Sequence, residues 1–144
     1  MVGGGNSALE EAVSLTKYVT KVTIVHQFDH FQAFQFAVDE AKANPKISFV
    51  MSSTIASFYG EEKLEGVKIK NLVTDVETNF KTDGVFIFIG YVPNTERLRG
   101  HVEMNERSEI ITGADMSTNI KGVFSAGDAN AKRYRQVTTA VADG

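Results

Sequence analysis

The 144-residue sequence predicts an α/β chain. A nucleotide-binding domain of three ββα layers is expected over residues 1–92, and the C-terminal part of a second domain of the same type over residues 93–144. Three observations carry this reading. A glycine-rich loop runs straight into helical periodicity, a β-branched strand pattern follows that helix, and a later strand ends in Gly-Asp shortly before a second helix opens.

Composition narrows the function classes. Hydrophobic residues make up 42% and charged residues 23%, ordinary for a folded soluble domain. A net charge of −3 argues against nucleic-acid binding, which needs a basic face. No apolar run approaches the roughly 20 residues of a membrane span, and no signal-peptide core opens the chain, so a cytoplasmic protein without membrane contact is expected. There is no cysteine, hence no disulfide, thiolate metal site or redox dithiol within these residues. His26, His30 and His101 are too scattered for a metal site.

The elements follow in order. Only Met1 and Val2 precede the loop Gly3-Gly4-Gly5-Asn6-Ser7-Ala8, so the first strand is expected to be truncated and the chain to be a piece of something longer. Leu9, Ala12, Val13, Thr16 and Val19 predict a helix over residues 6–19, with Glu10 and Glu11 in its first turns at the positive end of the dipole. Residues 21–26 alternate and are β-branched, which predicts a strand. Phe31, Phe34, Val38 and Ala41 give a second helix over residues 31–44, stopped by Pro45. A short strand is expected over residues 47–51, then an antiparallel meander over residues 54–59, 67–73 and 77–81. Residues 84–90 are continuously apolar, as in a strand covered on both faces. Residues 91–95 read as a connection. Strands are expected at residues 109–112 and 122–125, and a helix from Tyr134 onward.

Two constellations carry chemistry. Gly3, Gly5 and Ala8 fit the Rossmann pattern G-x-G-x-x-A. Gly3 permits the strand-to-helix turn, Gly5 lets a pyrophosphate approach the backbone, and Ala8 allows helix and strand to pack closely. The amides of Asn6 and Ser7 at the helix start then face the phosphates, and Gly4 is counted with them among the cofactor-binding residues of the loop. After the second strand an acidic residue normally accepts bonds from a ribose 2′-hydroxyl, whereas arginines receive a 2′-phosphate. Here the sequence reads His26-Gln27-Phe28-Asp29. Gln27 can bond ribose hydroxyls and no cation lies nearby; Asp29 is acidic but falls beyond the strand end, where capping the helix at Phe31 is an equal alternative. On charge, the unphosphorylated cofactor is favoured. The second constellation is Gly127-Asp128 with Arg135-Gln136-Val137. It sets a carboxylate at a strand end, suited to a polyol chain, and a helix start whose amides favour a developing anion.

In these residues, together with Glu10-Glu11, Val25-His26, Phe31, the run Phe86-Ile87-Phe88-Ile89-Gly90 and Pro93-Asn94-Thr95, the chain resembles the thioredoxin reductase family and its close relative, the flavoprotein reductase of alkyl hydroperoxide reductase systems. The resemblance spans essentially the whole chain in the family's order. It implies a nicotinamide-nucleotide domain inserted into an FAD domain, with Asp128 on the FAD ribitol, Gly127 beside it, and Arg135, Gln136 and Val137 along the isoalloxazine. Ile89 and Gly90 would border the nicotinamide nucleotide. It implies FAD and NAD(P)H as cofactors, electron flow through flavin to a Cys-x-x-Cys pair lying outside this chain, thioredoxin or a related redox protein as partner, and a homodimer.

One departure bears on the donor. The family's His-Arg-Arg pattern with a later Arg stands here as His26-Gln27-Phe28 with Gln32. The sequence therefore favours NADH over NADPH. It leaves open an NADH-dependent peroxiredoxin-reducing flavoprotein, a ferredoxin-linked enzyme, and a nucleotide-binding fragment inert by itself.

Overall fold

The run Val22, Thr23, Ile24, Val25 is largely apolar along its whole length, so its strand is stable only with both faces covered. The computed structural model, which describes residues 1–144, covers both. The chain separates into two units, Met1–Ile89 and Gly90–Gly144.

In the first unit, helix α1 (Asn6–Leu15) leads into β1 (Val22–Val25), which pairs in parallel with β2 (Ile47–Val50), Val22 opposite Ile47. Parallel strands need a crossover, and helix α2 (Gln35–Ala43) provides it. Leu9 and Ala12 of α1, with Ala37, Val38 and Ala41 of α2, close over Val22, Ile24 and Ile47. Leu9 and Ile24 are completely buried, which stabilises the fold by roughly 1.5–3 kcal/mol each. On the opposite face Val25 meets Val67 and Ile69 of an antiparallel sheet. That sheet is β3 (Ser53–Tyr59), β4 (Gly66–Asn71) and β5 (Glu77–Lys81), in the order β3-β4-β5. Helices, parallel strands and antiparallel strands are thus stacked as the sequence predicts.

The differences from expectation lie at element ends, and each has a local cause. Helix α1 stops at Leu15 rather than near residue 19. Thr16 turns its hydroxyl back to the Val13 carbonyl at 2.6 Å, and Lys46 Nζ takes the carbonyls of Thr16 and Val19 at 2.6 and 3.2 Å. Glu10 and Glu11 fall beyond the first turn, which carries no acid at all. Helix α2 begins at Gln35 because residues 31–34 are used otherwise. Gln32 bridges Gly5, and Phe34, expected in the core, is 75% exposed, with Ala37 taking its place. Strand β4 ends at Asn71, whose side-chain oxygen accepts the amides of Val73 and Thr74, both at 2.9 Å, and folds the chain into a turn.

The apolar run at residues 84–90 is not covered on both faces. It pairs with the chain only through Val2, whose N–H donates to the Phe86 carbonyl and whose carbonyl accepts from Phe88, both at 2.7 Å. Phe86, Ile87 and Ile89 remain exposed.

In the second unit the strands expected at residues 109–112 and 122–125 reduce to single bridges, Met104 with Ile110, Ile110 with Asn130 and Ser117 with Phe124. Ile110 is its one buried apolar side chain. Polar contacts hold the rest, among them the Thr95 hydroxyl on the Ser108 carbonyl at 2.6 Å and the Asn130 amide on the Ser125 carbonyl at 2.8 Å. Helix α3 (Val137–Asp143) opens three residues after Tyr134.

Lys46→Met keeps most of the aliphatic stem and removes the cap on α1. It is expected to lower the stability of the chain by about 1 kcal/mol, measured by urea unfolding, with no change of fold by circular dichroism.

Candidate functional site

The three glycines of the opening loop have three different reasons. Gly3 lies at φ +132°, and a Cβ there would stand 2.1 Å from the Phe88 carbonyl oxygen. Its N–H donates to the Val25 carbonyl at 3.0 Å. A Cβ on Gly4 would stand 2.5 Å from the His26 ring. Gly5 is unlike both: it is extended at φ −88°, and a Cβ there would meet nothing within 4 Å. The fold itself demands the first two glycines and not the third. A bare backbone facing open space suits a ligand that approaches closely.

Gly5 is the N-cap of α1, and no side chain caps the helix. The amides of Asn6, Ser7 and Ala8 donate to no backbone carbonyl of the chain. With no acid in the first turn, the positive end of a ten-residue helix is left for an external anion. Ser7 is exposed. The Asn6 side chain looks the other way, its Oδ1 accepting the Phe34 amide at 2.7 Å, so it joins the loop to the entry of α2.

The residues after β1 lie against this loop. The Gln32 amide donates to the Gly4 carbonyl at 2.8 Å, and the Ser53 amide to the His26 carbonyl, also at 2.8 Å. His26 is 4% exposed, and its Nε2 has no partner. Its ring stacks on Phe31 at 6.0 Å and meets the edge of Phe28 at 5.3 Å. Burial pushes its pKa below the ordinary histidine value, so the ring sits under the loop as a neutral body. Gln27 and Gln32 are exposed. Asp29 caps no helix: α2 starts six residues later, and the Asp29 carboxylate pairs instead with His30 Nδ1 at 2.7 Å. That hydrogen bond holds the Asp29 carboxyl below its usual pKa. Ile89 is exposed at the end of this unit, past the Phe88 carbonyl that presses on Gly3.

In the second unit Gly90 and Gly127 both adopt positive φ, +95° and +90°. The Gly127 amide donates to Asp143 Oδ2 at 2.9 Å. Lys132 Nζ lies 2.8 Å from that same oxygen and 3.4 Å from Asp128 Oδ1, and the Asp128 side chain is 53% exposed. Arg135 is ion-paired with Glu109, and its guanidinium lies 4.9 Å over the Tyr91 ring. Glu109 is 7% exposed and also accepts Asn105 Nδ2 at 2.6 Å. The Asn105 hydrogen bond and the Arg135 charge hold the Glu109 carboxyl below the usual carboxylate range, against the opposing effect of burial. The Tyr91 hydroxyl lies 3.4 Å from both Glu109 Oε1 and the Asp128 carbonyl, which links the two sequence-predicted positions Asp128 and Arg135. The Gln136 amide donates to Thr139 Oγ1 at 3.1 Å, and Val137, first residue of α3, is exposed. Glu109, Asn105 and Tyr91 carried no sequence signal, because the partners that define them are distant in the chain.

Two outcomes follow from this geometry. In thermal unfolding, Gly3→Ala and Gly4→Ala are expected to lose at least about 1–3 kcal/mol from overpacking, whereas Gly5→Ala stays within about 0.5 kcal/mol of the parent. Separately, the neutral His26 makes the folded chain lose stability as pH falls. Below about pH 6.5 the unfolded chain binds a proton that the folded chain takes up only at lower pH. His26→Gln should flatten that part of the midpoint-against-pH curve; an unchanged slope would place the proton elsewhere.

The chain is similar to known proteins along essentially its whole length. A protein described as a 34.2 kDa protein in the rubredoxin operon of Clostridium pasteurianum is 46% identical over all of this chain, which covers 47% of that protein. A thioredoxin reductase of Peptoclostridium acidaminophilum is 42% identical, again over all of this chain and 48% of its own length. The crystal structure of Lactococcus lactis thioredoxin reductase superposes with a TM-score of 0.85 at 38% identity, over 99% of this chain and 47% of that one. The chain thus spans about half the length of these relatives. The model of the pyridine nucleotide-disulphide oxidoreductases matches residues 1–144. The chain belongs to the pyridine nucleotide-disulphide oxidoreductase family, and its resemblance to the thioredoxin reductases within that family is borne out.

Proposed function

We propose that this chain is the nicotinamide-nucleotide-binding part, with a returning segment of the FAD-binding part, of an FAD-dependent disulfide reductase that passes electrons to thioredoxin or a similar protein thiol. One observation carries the reading: Gly5 and the amides of Asn6, Ser7 and Ala8 form a donor cradle that nothing in the chain fills. A pyrophosphate fits it by charge and by the lack of a Cβ. Gln27 and Gln32 are exposed on the segment that adjoins the loop and supply donors and acceptors for ribose. Ile89 and Gly90 are assigned to the border of the nicotinamide.

For FAD, the half-exposed Asp128 carboxylate is the acceptor for ribitol hydroxyls, kept in place by Lys132, with Gly127, Gln136 and Val137 nearby in sequence. Arg135 presents a guanidinium whose Nε is buried without a partner. The flavin, when bound, supplies the two-electron chemistry, and the protein supplies binding and orientation. Arg135 is already compensated by Glu109, so its role is to shape the site rather than to offer free charge. The chain has no cysteine, and the dithiol is assigned to a part of the enzyme outside it.

The second reading, an NADH-dependent reductase of a peroxiredoxin-type partner, is favoured by the charge of the segment after β1. From residue 26 to residue 41 there is no Lys or Arg. A phosphomonoester there would find no cation. Fluorescence titration of the chain is expected to show NADH binding more tightly than NADPH. Gln27→Arg with Gln32→Arg should raise NADPH affinity by about tenfold through charge-assisted bonds. Tighter binding of NADPH by the parent chain would refute the preference.

A further inference from the structure

Strand β2 is an edge of its sheet, paired with β1 alone and in parallel. The Val22 amide donates to the Lys46 carbonyl and the His26 amide to the Val50 carbonyl, both at 2.9 Å. Backbone groups alternate in direction along a strand. Those of Lys46, Ser48 and Val50 therefore face β1, and those of Ile47, Phe49 and Met51 face away. Part of this outer row is satisfied within the chain. The Ile47 amide donates to the Asn44 carbonyl at 3.0 Å, and the Met51 carbonyl accepts the Ser53 hydroxyl at 2.8 Å. The amides of Phe49 and Met51 and the carbonyls of Ile47 and Phe49 have no partner in the chain.

Open edges are normally guarded by a charge, a proline or a bulge. Strand β2 reads Ile47-Ser48-Phe49-Val50, and its register with β1 is unbroken. Lys46, just before it, is turned away, its Nζ held by the carbonyls of Thr16 and Val19. By contrast β5, an edge of the antiparallel sheet, carries Glu77 and Lys81.

The pattern of free groups selects the occupant. With a second copy antiparallel across a two-fold axis at Phe49, each Phe49 amide meets the Phe49 carbonyl of the other copy. Each Met51 amide meets the other copy's Ile47 carbonyl. The Ile47 amide and the Met51 carbonyl, already bonded within the chain, fall opposite each other and need nothing. A slip to the next pairing in either direction sets a free Phe49 group against one already engaged. The free edge is self-complementary in a single register.

We infer that the outer edge of β2 is a contact surface for a second copy of this chain, paired antiparallel about Phe49. The two parallel pairs become one continuous sheet, with both copies of α2 on the same face, and the isologous contact closes on itself. The assignment concerns the first unit only and is independent of the dinucleotide reading. A few main-chain bonds give modest net stabilisation, so the association is weak and shows at high concentration.

The test is sedimentation velocity of the chain over a concentration series reaching about 1 mM, repeated with Met51→Pro and Ser48→Lys. Met51→Pro removes an amide that bonds nothing within the chain, so it subtracts from the pairing rather than from the fold. Ser48→Lys places an ammonium group on the edge, opposite Val50 of the second copy. The parent is expected to show a reversible monomer–dimer equilibrium, and each variant to raise the dissociation constant at least about tenfold. Unfolding midpoints at low concentration check that the variants fold. In the parent, hydrogen exchange at the Phe49 and Met51 amides should slow as concentration rises, and this measurement decides alone if a variant does not fold. A parent that stays monomeric, a dimer that both folded variants leave unchanged, or exchange at Phe49 and Met51 that ignores concentration would each overturn the assignment.

Discussion

The backbone at Gly3 and Gly4 is pressed between the Phe88 carbonyl and the His26 ring, and much of the first unit depends on that contact. Neither position has room for a side chain. Because the chain passes so close, Val2 reaches the run at residues 84–88 on one side and Val25 on the other, and single bridges tie the three segments together. The same passage aims α1 so that its first amides emerge at the carboxyl ends of β1 and β2. Gln32 and Phe34 then bond back to Gly4 and Asn6, which delays the start of α2. A packing constraint two residues long thus fixes where the uncapped start of α1 points.

Charge is distributed so that little of it is free near the candidate sites. His26 is neutral under the glycine loop. Arg135 is paired with Glu109, and Lys132 is shared between Asp128 and Asp143. The electropositive feature that remains at the loop is the set of backbone amides at the start of α1. Such donors are already oriented, and binding to them requires no side chain to be ordered. That distribution separates the requirements of a pyrophosphate, which the amides meet, from those of an added phosphomonoester, which nothing meets.

Local signals in the sequence were enough for the layer order of the first unit. The glycine loop, the 3.6-residue spacing of Leu9 and Ala12, the β-branched run at Val22 and the meander ending in β5 all read correctly because each depends on neighbours in sequence. What escaped depends on neighbours in space. Gly4 is a free position in the motif and is forced to be glycine by His26, twenty-two residues on. Phe34 has the spacing of a core residue and faces out, because Asn6 captures its amide before the helix can begin. Residues 84–90 look like a fully buried strand, yet find only Val2 as a ladder partner. In the second unit Arg135 was legible as a site residue, whereas the Glu109 and Tyr91 that engage it were not.

The central claim is that the amides after Gly5 are a phosphate cradle. It is tested most directly by following the backbone amide resonances of the chain by NMR while ADP-ribose is added. The account predicts saturable shifts largest at Gly5, Asn6 and Ser7, with weaker ones at Gln27 and Gln32 and none in β5. Shifts absent from residues 5–7, or largest on the antiparallel sheet, would contradict it.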